Sequence, residues 1–403
     1  METRDPIPKT TLPDMDFPYS DPSTSATARP GHLSALASPI DRDHLIFRLA
    51  KSAGGQGALF LNGTTTLPRT NKFKTKENTD LTDKQYDYLT KLINKIRSRS
   101  GDGHAEKVAS GMEVELCRTI FGSNFIEWAG TGYDETVQIC QKVFRGEEVR
   151  DEDAIEKTEQ YEPGLGLAAN QGRSSLGQTS NGPDVAAIHR GRLEVAQHAR
   201  ALSFFLEKYI AEEEPLSEDL IRQTHRILCT GHEDSEDRPW QDWAGKYRDY
   251  EIAAASGGGL GSKRKKSIFI RSVAVPRYMS NLVKDFNAWV SKADTEIDPF
   301  ELAAWFSIQF VCIHPFGDGN GRMCRILLNA VLYNYTGLIA SLGEDGEEGR
   351  EAYLDLAHRS SKIYHDEDCE VATEDQTSHA ELASLVLRKA ALCGSRLLEN
   401  LKI

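Results

Sequence analysis

The chain carries apolar side chains at a helical period along most of its length. In these stretches they recur every three or four residues, which places them on one face of a helix. β-Branched and apolar residues that favour strands flank the glycine-rich segment Ser256–Ser262, at residues 249–255 and 267–275. The pattern predicts an all-α fold with one β-hairpin. We expect helices at about 82–96, 107–121, 133–144, 189–210, 215–228, 276–290, 299–313, 320–335, 347–364 and 378–401.

Composition divides the chain into five segments. Residues 1–80 predict a largely disordered tail: residues 1–30 are rich in Pro, Asp, Ser and Thr, whereas residues 41–80 are ambiguous and become rich in Gly, Thr and Lys. Residues 81–145 predict N-terminal helices, and 146–185 form an acidic loop that becomes rich in Gly and Ser. Residues 186–370 predict the helical core, and 371–403 a C-terminal helix.

Composition also excludes several classes of protein. With 403 residues the chain can bury a sizeable core, yet no apolar run approaches the ~20 residues that span a bilayer. The net charge of −13 argues against nucleic acid as the main partner, because that requires broad basic surface. The seven cysteines show no paired spacing, which predicts reduced thiols rather than disulfides or a zinc site. We expect a cytoplasmic protein that binds neither nucleic acid nor membrane, as a monomer or a homodimer.

One basic cluster, Lys263–Lys266, lies beside the tip of the predicted hairpin. It leaves three interpretations open: a solvated loop, a nuclear import signal, or a surface that steers an acidic target. Nuclear localisation therefore stays as an alternative to a purely cytoplasmic one.

The most informative segment is His314–Arg325, which reads His-Pro-Phe-Gly-Asp-Gly-Asn-Gly-Arg-Met-Cys-Arg. The helix before it begins well, since Asp298 is a good N-cap and Pro299 suits the first helical position. It must end near His314, because a residue that precedes proline is disfavoured in the α region. The helical pattern resumes after Asn320. The turn between the two helices therefore enters a helix N-terminus, where free N–H groups favour an anion.

Each residue type in this segment meets a chemical demand. The imidazole of His314 fits a general base near neutral pH, and the Asp318 carboxylate offers a hard oxygen to Mg²⁺. The glycines let the backbone approach phosphate oxygens, and the arginines neutralise their charge. Phe316 is expected to point inward as an anchor. These parts suit phosphoryl or nucleotidyl transfer. The predicted phosphate-binding residues are Gly317, Gly319, Asn320, Gly321, Arg322 and Arg325.

The twelve residues from His314 to Arg325 resemble the complete signature of the Fic (Fic/Doc) family of AMP transferases. The resemblance implies the Fic-type helical core, a hydroxyl-activating His314, ATP as the nucleotide and Mg²⁺ held by Asp318. Kinase-like relatives replace the glycines at the positions of Gly319 and Gly321. Because both glycines are present here, the resemblance favours AMP transfer over γ-phosphate transfer.

A second similarity lies upstream of the signature. Gly245–Arg248 and Val275–Met279 resemble the family's Gly-x-Tyr-Arg and Val-Pro-x-x-Met run. In that family the region forms a β-hairpin flap over the active site, which clamps the target's modified segment beside the histidine. The resemblance therefore implies a target-docking flap at Ile268, Phe269 and Ile270; an ordinary surface loop is the alternative.

A third similarity concerns regulation. Ser123-Asn-Phe-Ile-Glu127 resembles the inhibitory Ser/Thr-x-x-x-Glu helix of self-restrained Fic enzymes. It implies that Glu127 pairs with Arg325 and blocks the γ-phosphate position. The family usually has Gly or Asn after this Glu, whereas this chain has Trp128, which either packs the helix more firmly or displaces it. The alternative is an ordinary exposed helix glutamate.

The function implied is Mg·ATP-dependent transfer of AMP to a Ser, Thr or Tyr hydroxyl of a protein, restrained by Glu127. Removal of AMP by the same site is one alternative, and a non-catalytic module that binds a nucleotide or a protein is another. The base preference, ATP against UTP or others, stays open at this stage. Three tyrosines are candidates for stacking on adenine, although we favour core positions for them: Tyr333, Tyr353 and Tyr364.

Overall fold

The computed structural model describes residues 49, 66–69, 79–98, 104–149, 185–232, 238–256, 265–291, 297–368 and 370–401. The predicted tail at 1–80 and the acidic loop at 146–185 lie almost wholly outside the described residues, as do Lys263 and most of Ser256–Ser262.

Helices dominate the part of the chain that the structure describes. None of them is both long and apolar enough to cross a membrane. They are α1 (Thr79–Arg97), α2 (His104–Ile126), α3 (Tyr133–Phe144), α4 (Val185–Leu206), α5 (Glu218–Leu228), the single turn α6 (Trp240–Trp243), α7 (Val275–Val290), α8 (Pro299–Ile313), α9 (Asn320–Thr336), α10 (Gly346–Glu367) and α11 (Ala380–Asn400).

The central helix is α8. Nearly all of its side chains are buried, as expected for a helix that is apolar all round, and it packs against α7, α9, α10 and α11. The predicted cap is confirmed: Asp298 accepts hydrogen bonds from the N–H groups of Phe300 (3.0 Å) and Glu301 (3.2 Å). The Tyr86 hydroxyl donates to the other carboxylate oxygen of Asp298 at 2.5 Å, which ties α1 to the start of α8.

Helix α2 is longer than the pattern predicted. It runs five residues beyond residue 121, so that Ser123 lies in its last turn rather than in a turn after it. The added turn packs closely on a neighbouring segment, since a Cβ on Gly122 would lie 2.3 Å from the Leu342 carbonyl oxygen. A glycine at position 122 therefore allows this close approach.

The described part of the chain contains two strands, β1 (Ala253–Ser256) and β2 (Lys265–Ile268). They pair antiparallel, with Ala253 opposite Ile268. The second strand is shorter than predicted, since residues Ser272–Ala274 form a 3₁₀ turn that leads into α7. Pro276 explains this difference, because proline favours the first turn of a helix and cannot donate to a sheet.

Candidate active site

His314 ends α8 in a left-handed conformation, with φ of 51°. Its Nδ1 lies 3.0 Å from the Val311 carbonyl oxygen. Because a carbonyl only accepts, Nδ1 carries the proton and Nε2 carries the lone pair. Burial lowers the pKa of His314 to about 4, against the opposing effect of the Val311 bond. The imidazole is therefore neutral at pH 7 and has the tautomer that a general base at Nε2 requires.

One face of this imidazole is covered by Phe269. The two ring centroids lie 3.7 Å apart with the planes at 18°. The buried Arg248 holds the surrounding backbone: its Nε donates to the His314 carbonyl at 2.8 Å, and its Nη2 donates to the Ile270 carbonyl. The end of β2 is thereby fixed against the end of α8.

The loop from Pro315 to Gly319 is closed by Asn320. Its side chain accepts from the Phe316 N–H at 3.0 Å and donates to the Phe316 carbonyl at 2.8 Å. The Asn320 amide thus holds the loop through its oxygen and one of its two N–H donors, and Asn320 also lines the cavity described below. The phenyl ring of Phe316 points inward, as predicted, and is fully buried.

His225 supports the same loop, and sequence reasoning assigned it no role. It stacks on Phe316 at 3.6 Å between centroids. Its Nδ1 accepts from the Gly245 N–H at 2.8 Å, so Nε2 donates to the Asp318 carbonyl at 2.9 Å. Burial lowers the pKa of His225 to about 4, which keeps it neutral. Its helical spacing alone gave no signal of this contact.

Asp318 and Arg322 face each other across the start of α9. The Asp318 side chain is 59% exposed, its Oδ1 accepts from the Gly319 N–H at 2.7 Å, and its Oδ2 lies 3.8 Å from Arg322 Nη2. Desolvation opposes the charged carboxylate, yet the Arg322 guanidinium and the Gly319 N–H outweigh it and lower the pKa of Asp318. Arg322 itself is buried, and its Nε and Nη1 atoms have no hydrogen-bond partner among the residues that the structure describes.

Arg325, one turn further along α9, contacts the end of α2. Its Nε donates to Ser123 Oγ at 2.8 Å, and its Nη2 donates to Glu127 Oε1 at 2.7 Å. Burial disfavours the charged guanidinium, but Glu127 outweighs this effect and raises the pKa of Arg325. The structure therefore brings together the three residues named for the inhibitory contact.

The Glu127 carboxylate lies directly on the N-terminal turn of α9. A Cβ on Gly321 would lie 2.0 Å from Glu127 Oε1. The carboxylate thus occupies the place where unpaired N–H groups favour an anion. Gly319, the N-cap of α9, has φ of 73°, a conformation that glycine adopts without strain.

Helix α2 ends in a Schellman motif that positions Glu127 beside Arg325. The Ala129 N–H donates to the Asn124 carbonyl at 2.9 Å, and the Trp128 N–H to the Phe125 carbonyl at 3.1 Å. Trp128 occupies the left-handed position of the motif, with φ of 56°. Glycine or asparagine is usual there, and a left-handed conformation costs other residues roughly 1–2 kcal/mol. The tryptophan has not displaced Glu127 from Arg325.

Arg350 from α10 packs on this helix end. Its Nε donates to the Ile126 carbonyl at 2.8 Å, and its Cζ lies 4.1 Å from the centre of a Trp128 ring. The chain beyond the motif is also held, since the Gly130 N–H donates to Glu194 Oε2 at 2.7 Å. Sequence reasoning missed both Arg350 and Glu194, because they lie far along the chain from the segment that they hold.

These groups line one cavity of about 370 Å³. One part of the lining comes from the loop and the start of α9, with Glu127, Arg190 and Glu194 beside it: His314, Gly317, Asp318, Gly319, Asn320, Gly321, Arg322 and Arg325. Another part comes from α8 and α10 and mixes apolar and polar side chains: Ser307, Ile308, Val311, Cys312, Tyr353, Leu354, Ala357, His358 and Ser361. A cavity lined by arginines and by apolar and aromatic side chains suits a molecule with a flat ring and an anionic tail.

Of the three tyrosines weighed for stacking, Tyr353 lines this cavity and is itself buried at 8% exposure. Tyr333 and Tyr364 are buried core residues, as favoured. The three predicted flap residues lie in different environments: Ile268 is 72% exposed, Phe269 lies on His314, and Ile270 is buried. Among the described residues no group of three or more His, Cys, Asp and Glu side chains could hold a metal ion by itself.

Part of the chain matches known proteins. Residues 215–332 match the Fic/DOC family profile. A Fido domain-containing protein of Dictyostelium discoideum is 37% identical over 91 residues, which cover 23% of this chain and 55% of that relative. The protein adenylyltransferase Fic of Nematostella vectensis is 31% identical over 140 residues, 34% of this chain and 28% of that protein. The chain thus spans about half, or less, of the length of these curated relatives.

A solved structure extends the similarity to the fold. The crystal structure of a Fic domain containing signaling protein from Bacteroides thetaiotaomicron aligns with a TM-score of 0.54 at 19% identity, and the alignment covers 79% of this chain and 96% of that one. At this identity the likeness concerns the fold alone. The all-α core is therefore of the Fic type, and the chain carries a Fic/DOC family domain at residues 215–332.

Proposed function

We propose that this protein transfers AMP from Mg·ATP to a Ser, Thr or Tyr hydroxyl of a protein, and that Glu127 restrains the reaction. The observation that carries the proposal is the pairing of a neutral His314, protonated on Nδ1, with a helix N-terminus and two buried arginines around one cavity. A curated relative named protein adenylyltransferase Fic supports the same reaction.

The proposed step begins with the target hydroxyl beside His314 Nε2. The hydroxyl proton moves to Nε2 as the oxygen attacks the α-phosphorus, and the bond from that phosphorus to the pyrophosphate oxygen breaks. The product is an AMP ester of the side chain, and pyrophosphate leaves. Arg322, Arg325 and the first N–H groups of α9 would hold the charge that develops on the phosphates.

The residues present fit a magnesium ion. Mg²⁺ needs only one or two protein carboxylates when the substrate's phosphates supply further oxygens. Asp318 has a lowered pKa and an exposed side chain, so it is ionised and accessible. When bound there, the ion would neutralise phosphate charge and aid the departure of pyrophosphate.

Restraint by Glu127 follows from where its carboxylate lies. The carboxylate accepts a hydrogen bond from Arg325 and lies against Gly321. The polyphosphate would need both of these residues. Two anions cannot share this place without strong repulsion. ATP would therefore bind with its γ-phosphate displaced, and its α-phosphorus would be out of line with the hydroxyl.

The paired strands β1 and β2 support the role of a target-docking flap. The residue that follows β2, Phe269, lies on His314, and the exposed Ile268 offers an apolar contact to an extended target segment. Adding a strand to an exposed edge is a common mode of peptide recognition. We therefore propose a protein as the second substrate.

A second candidate function is the removal of AMP from a modified protein by the same site. The observation that favours it is that the Glu127 side chain is 38% exposed within the cavity that contains His314. A carboxylate in this place can orient a water molecule towards the phosphorus. Under this alternative, Glu127→Gly would abolish removal of AMP, whereas it would increase transfer under the first.

Labelled ATP tests the proposal. The full chain is incubated with Mg²⁺, cell lysate and ATP labelled on either the α- or the γ-phosphate, and modified proteins are analysed by mass spectrometry. AMP transfer predicts label from the α-position alone. Label from the γ-position would indicate phosphorylation, and label from neither, with Glu127→Gly as well as the parent chain, would contradict transfer.

A further inference from the structure

The chain leaves β2 with two neighbouring apolar side chains in different environments. Ile268 is 72% exposed, whereas Phe269 is partly buried with its ring on the His314 imidazole. Successive side chains of an extended segment point to opposite faces. One residue is thus available to a target, and the next covers the proposed base.

The stack is fixed by buried hydrogen bonds rather than by the two rings alone. Arg248 is 4% exposed and joins the carbonyls of His314 and Ile270, on either side of the stack. Its own N–H donates to the Pro315 carbonyl at 2.9 Å. The backbone on the C-terminal side of Phe269 therefore cannot move away from His314 without breaking buried bonds to a charged group, which are costly to lose.

We infer that Phe269 is a positioning residue for His314, an inference that rests on the proposed function. The Val311 carbonyl holds one edge of the imidazole and the phenyl ring covers one face, so the ring is held with its Nε2 edge towards the cavity. The phenyl ring also keeps water from that face. A base that is held in one orientation spends more of its time in the geometry that the reaction requires.

Burial and the charged and polar groups around His314 determine the direction in which its pKa is shifted. Burial lowers the pKa of His314 most strongly, the Val311 bond raises it, Arg248 lowers it, and Glu127 and Asp318 raise it. Removing the phenyl ring admits water and relieves the burial. The pKa should then rise towards the ordinary value of a histidine.

The test uses a Glu127→Gly chain, in which transfer is released. We would measure kcat and kcat/KM of auto-modification from about pH 5 to 9 for Phe269→Ala and Phe269→Tyr. Val273→Ala is the matched control, since this nearby apolar side chain is 81% exposed. Phe269→Ala should lower kcat about ten- to a hundred-fold and move the acid midpoint upward. Phe269→Tyr should restore both, and Val273→Ala should match the parent.

Two results would overturn this role. A parental kcat and acid midpoint in Phe269→Ala, with a raised KM for a protein target, would make Phe269 a docking residue like Ile268. A lower kcat with an unmoved midpoint would indicate a general effect on folding. NMR titration of His314 in the free protein tests the same role without transfer, so failure of the proposed function remains distinguishable: the midpoint must rise in Phe269→Ala.

An independent set of contacts concerns the end of α2. Arg350 donates to the Ile126 carbonyl, one of the groups that a helix end leaves unpaired, and its guanidinium packs over the Trp128 ring. Phe125 adds an edge-on contact with Trp128 at 5.4 Å between centroids. These contacts compensate for the left-handed conformation of Trp128.

We propose that Arg350 and Trp128 form a latch that holds Glu127 in its restraining position, which again rests on the proposed function. Glu127 immediately precedes Trp128, and both residues belong to the motif that ends α2. Arg350 comes from α10, the helix that supplies Tyr353, Ala357 and Ser361 to the cavity wall. The latch therefore connects the restraining segment to the wall of the proposed nucleotide site.

Two matched pairs of variants test the latch. Arg350→Gln removes the cation, and Arg359→Gln on the same helix removes one whose side chain is 54% exposed and paired with Glu381. Trp128→Ala removes the ring that packs against Arg350 but leaves a side chain in the left-handed conformation. Trp128→Gly removes the same ring and also the steric cost of that conformation. Auto-modification should rise about five-fold or more in Arg350→Gln and Trp128→Ala. It should stay near the parental level in Arg359→Gln and Trp128→Gly.

Parental transfer in Arg350→Gln and Trp128→Ala, beside a raised level in Glu127→Gly, would overturn the latch and leave the proposed function intact. Amide hydrogen exchange gives a readout that needs no transfer. Exchange at residues 124–130 should be faster in Arg350→Gln than in Arg359→Gln, and equal rates would contradict the latch.

Discussion

The guanidinium of Arg325 lies 2.7 Å from Glu127 Oε1, although the two residues are 198 positions apart. Arg325 is almost fully buried, whereas the Glu127 side chain is 38% exposed, so the arginine is fixed and the carboxylate is the part that can move. A charge-assisted hydrogen bond contributes about 1.5–3 kcal/mol, and exposure to water reduces that figure. A contact of this strength can restrain a site and still be displaced.

His314→Ala should abolish transfer and leave nucleotide affinity largely unchanged. The imidazole takes the proton in the proposed step but holds no phosphate, and loss of a general base typically costs ~10²–10⁴-fold in rate. Auto-modification and ATP binding would be measured side by side in the Glu127→Gly background. His189→Ala is the control. Near-normal transfer in His314→Ala would remove His314 from the mechanism.

Asp318→Ala should lose both transfer and the part of nucleotide affinity that depends on Mg²⁺. Asp318 is the carboxylate that the cavity offers to the ion at the start of α9. Calorimetry with ATP, with and without Mg²⁺, measures the difference, and Asp285→Ala at the surface of α7 is the control. Equal ATP affinity with and without Mg²⁺ in the parent protein would count against a metal at this site.

The pH dependence of kcat/KM should show an unusually low acid limit. His314 must be neutral to accept a proton, and burial lowers its pKa to about 4. Base-competent histidine is therefore present above that value and is lost as the pH falls through it. Transfer by Glu127→Gly should change little between about pH 5.5 and 7, because kcat/KM reports the free enzyme. A midpoint near the ordinary pKa of histidine would contradict this burial.

His225→Ala should reduce both stability and transfer. The substitution leaves the Gly245 N–H and the Asp318 carbonyl without the partners that His225 provides, and each buried loss costs about 1–3 kcal/mol. A fall in melting temperature of about 5 °C or more is expected, with lower transfer because the loop is released. Unchanged melting and unchanged transfer would show that the contact is dispensable.

The sequence predicted those parts of the site that are local. Pro315 ends α8 at His314, Asp298 begins it, and the glycines enter α9, and all of these follow from neighbouring residues. The Glu127 to Arg325 contact came from a family resemblance, since no period or spacing reports a pair so far apart. The contacts of Phe269, His225 and Arg350 were missed, because tertiary packing alone brings each of them to its partner.

The structure gives a physical account of Trp128, which departs from the family pattern. The sequence showed only that a tryptophan follows Glu127 where glycine or asparagine is usual. The structure shows why a small residue is usual, since the position is left-handed, and what supports the larger one, namely Arg350 and Phe125. The φ angle of one residue could not be predicted from the helical pattern.

The most direct test of the proposed restraint and transfer compares auto-modification of the parent chain, Glu127→Gly and the double variant Glu127→Gly with His314→Ala, all with Mg²⁺ and α-labelled ATP. Breaking the contact with Arg325 should raise incorporation of label by about ten- to a hundred-fold in Glu127→Gly. The double variant should return to background. Unchanged or lower incorporation in Glu127→Gly would contradict restraint by Glu127, and full incorporation in the double variant would contradict transfer through His314.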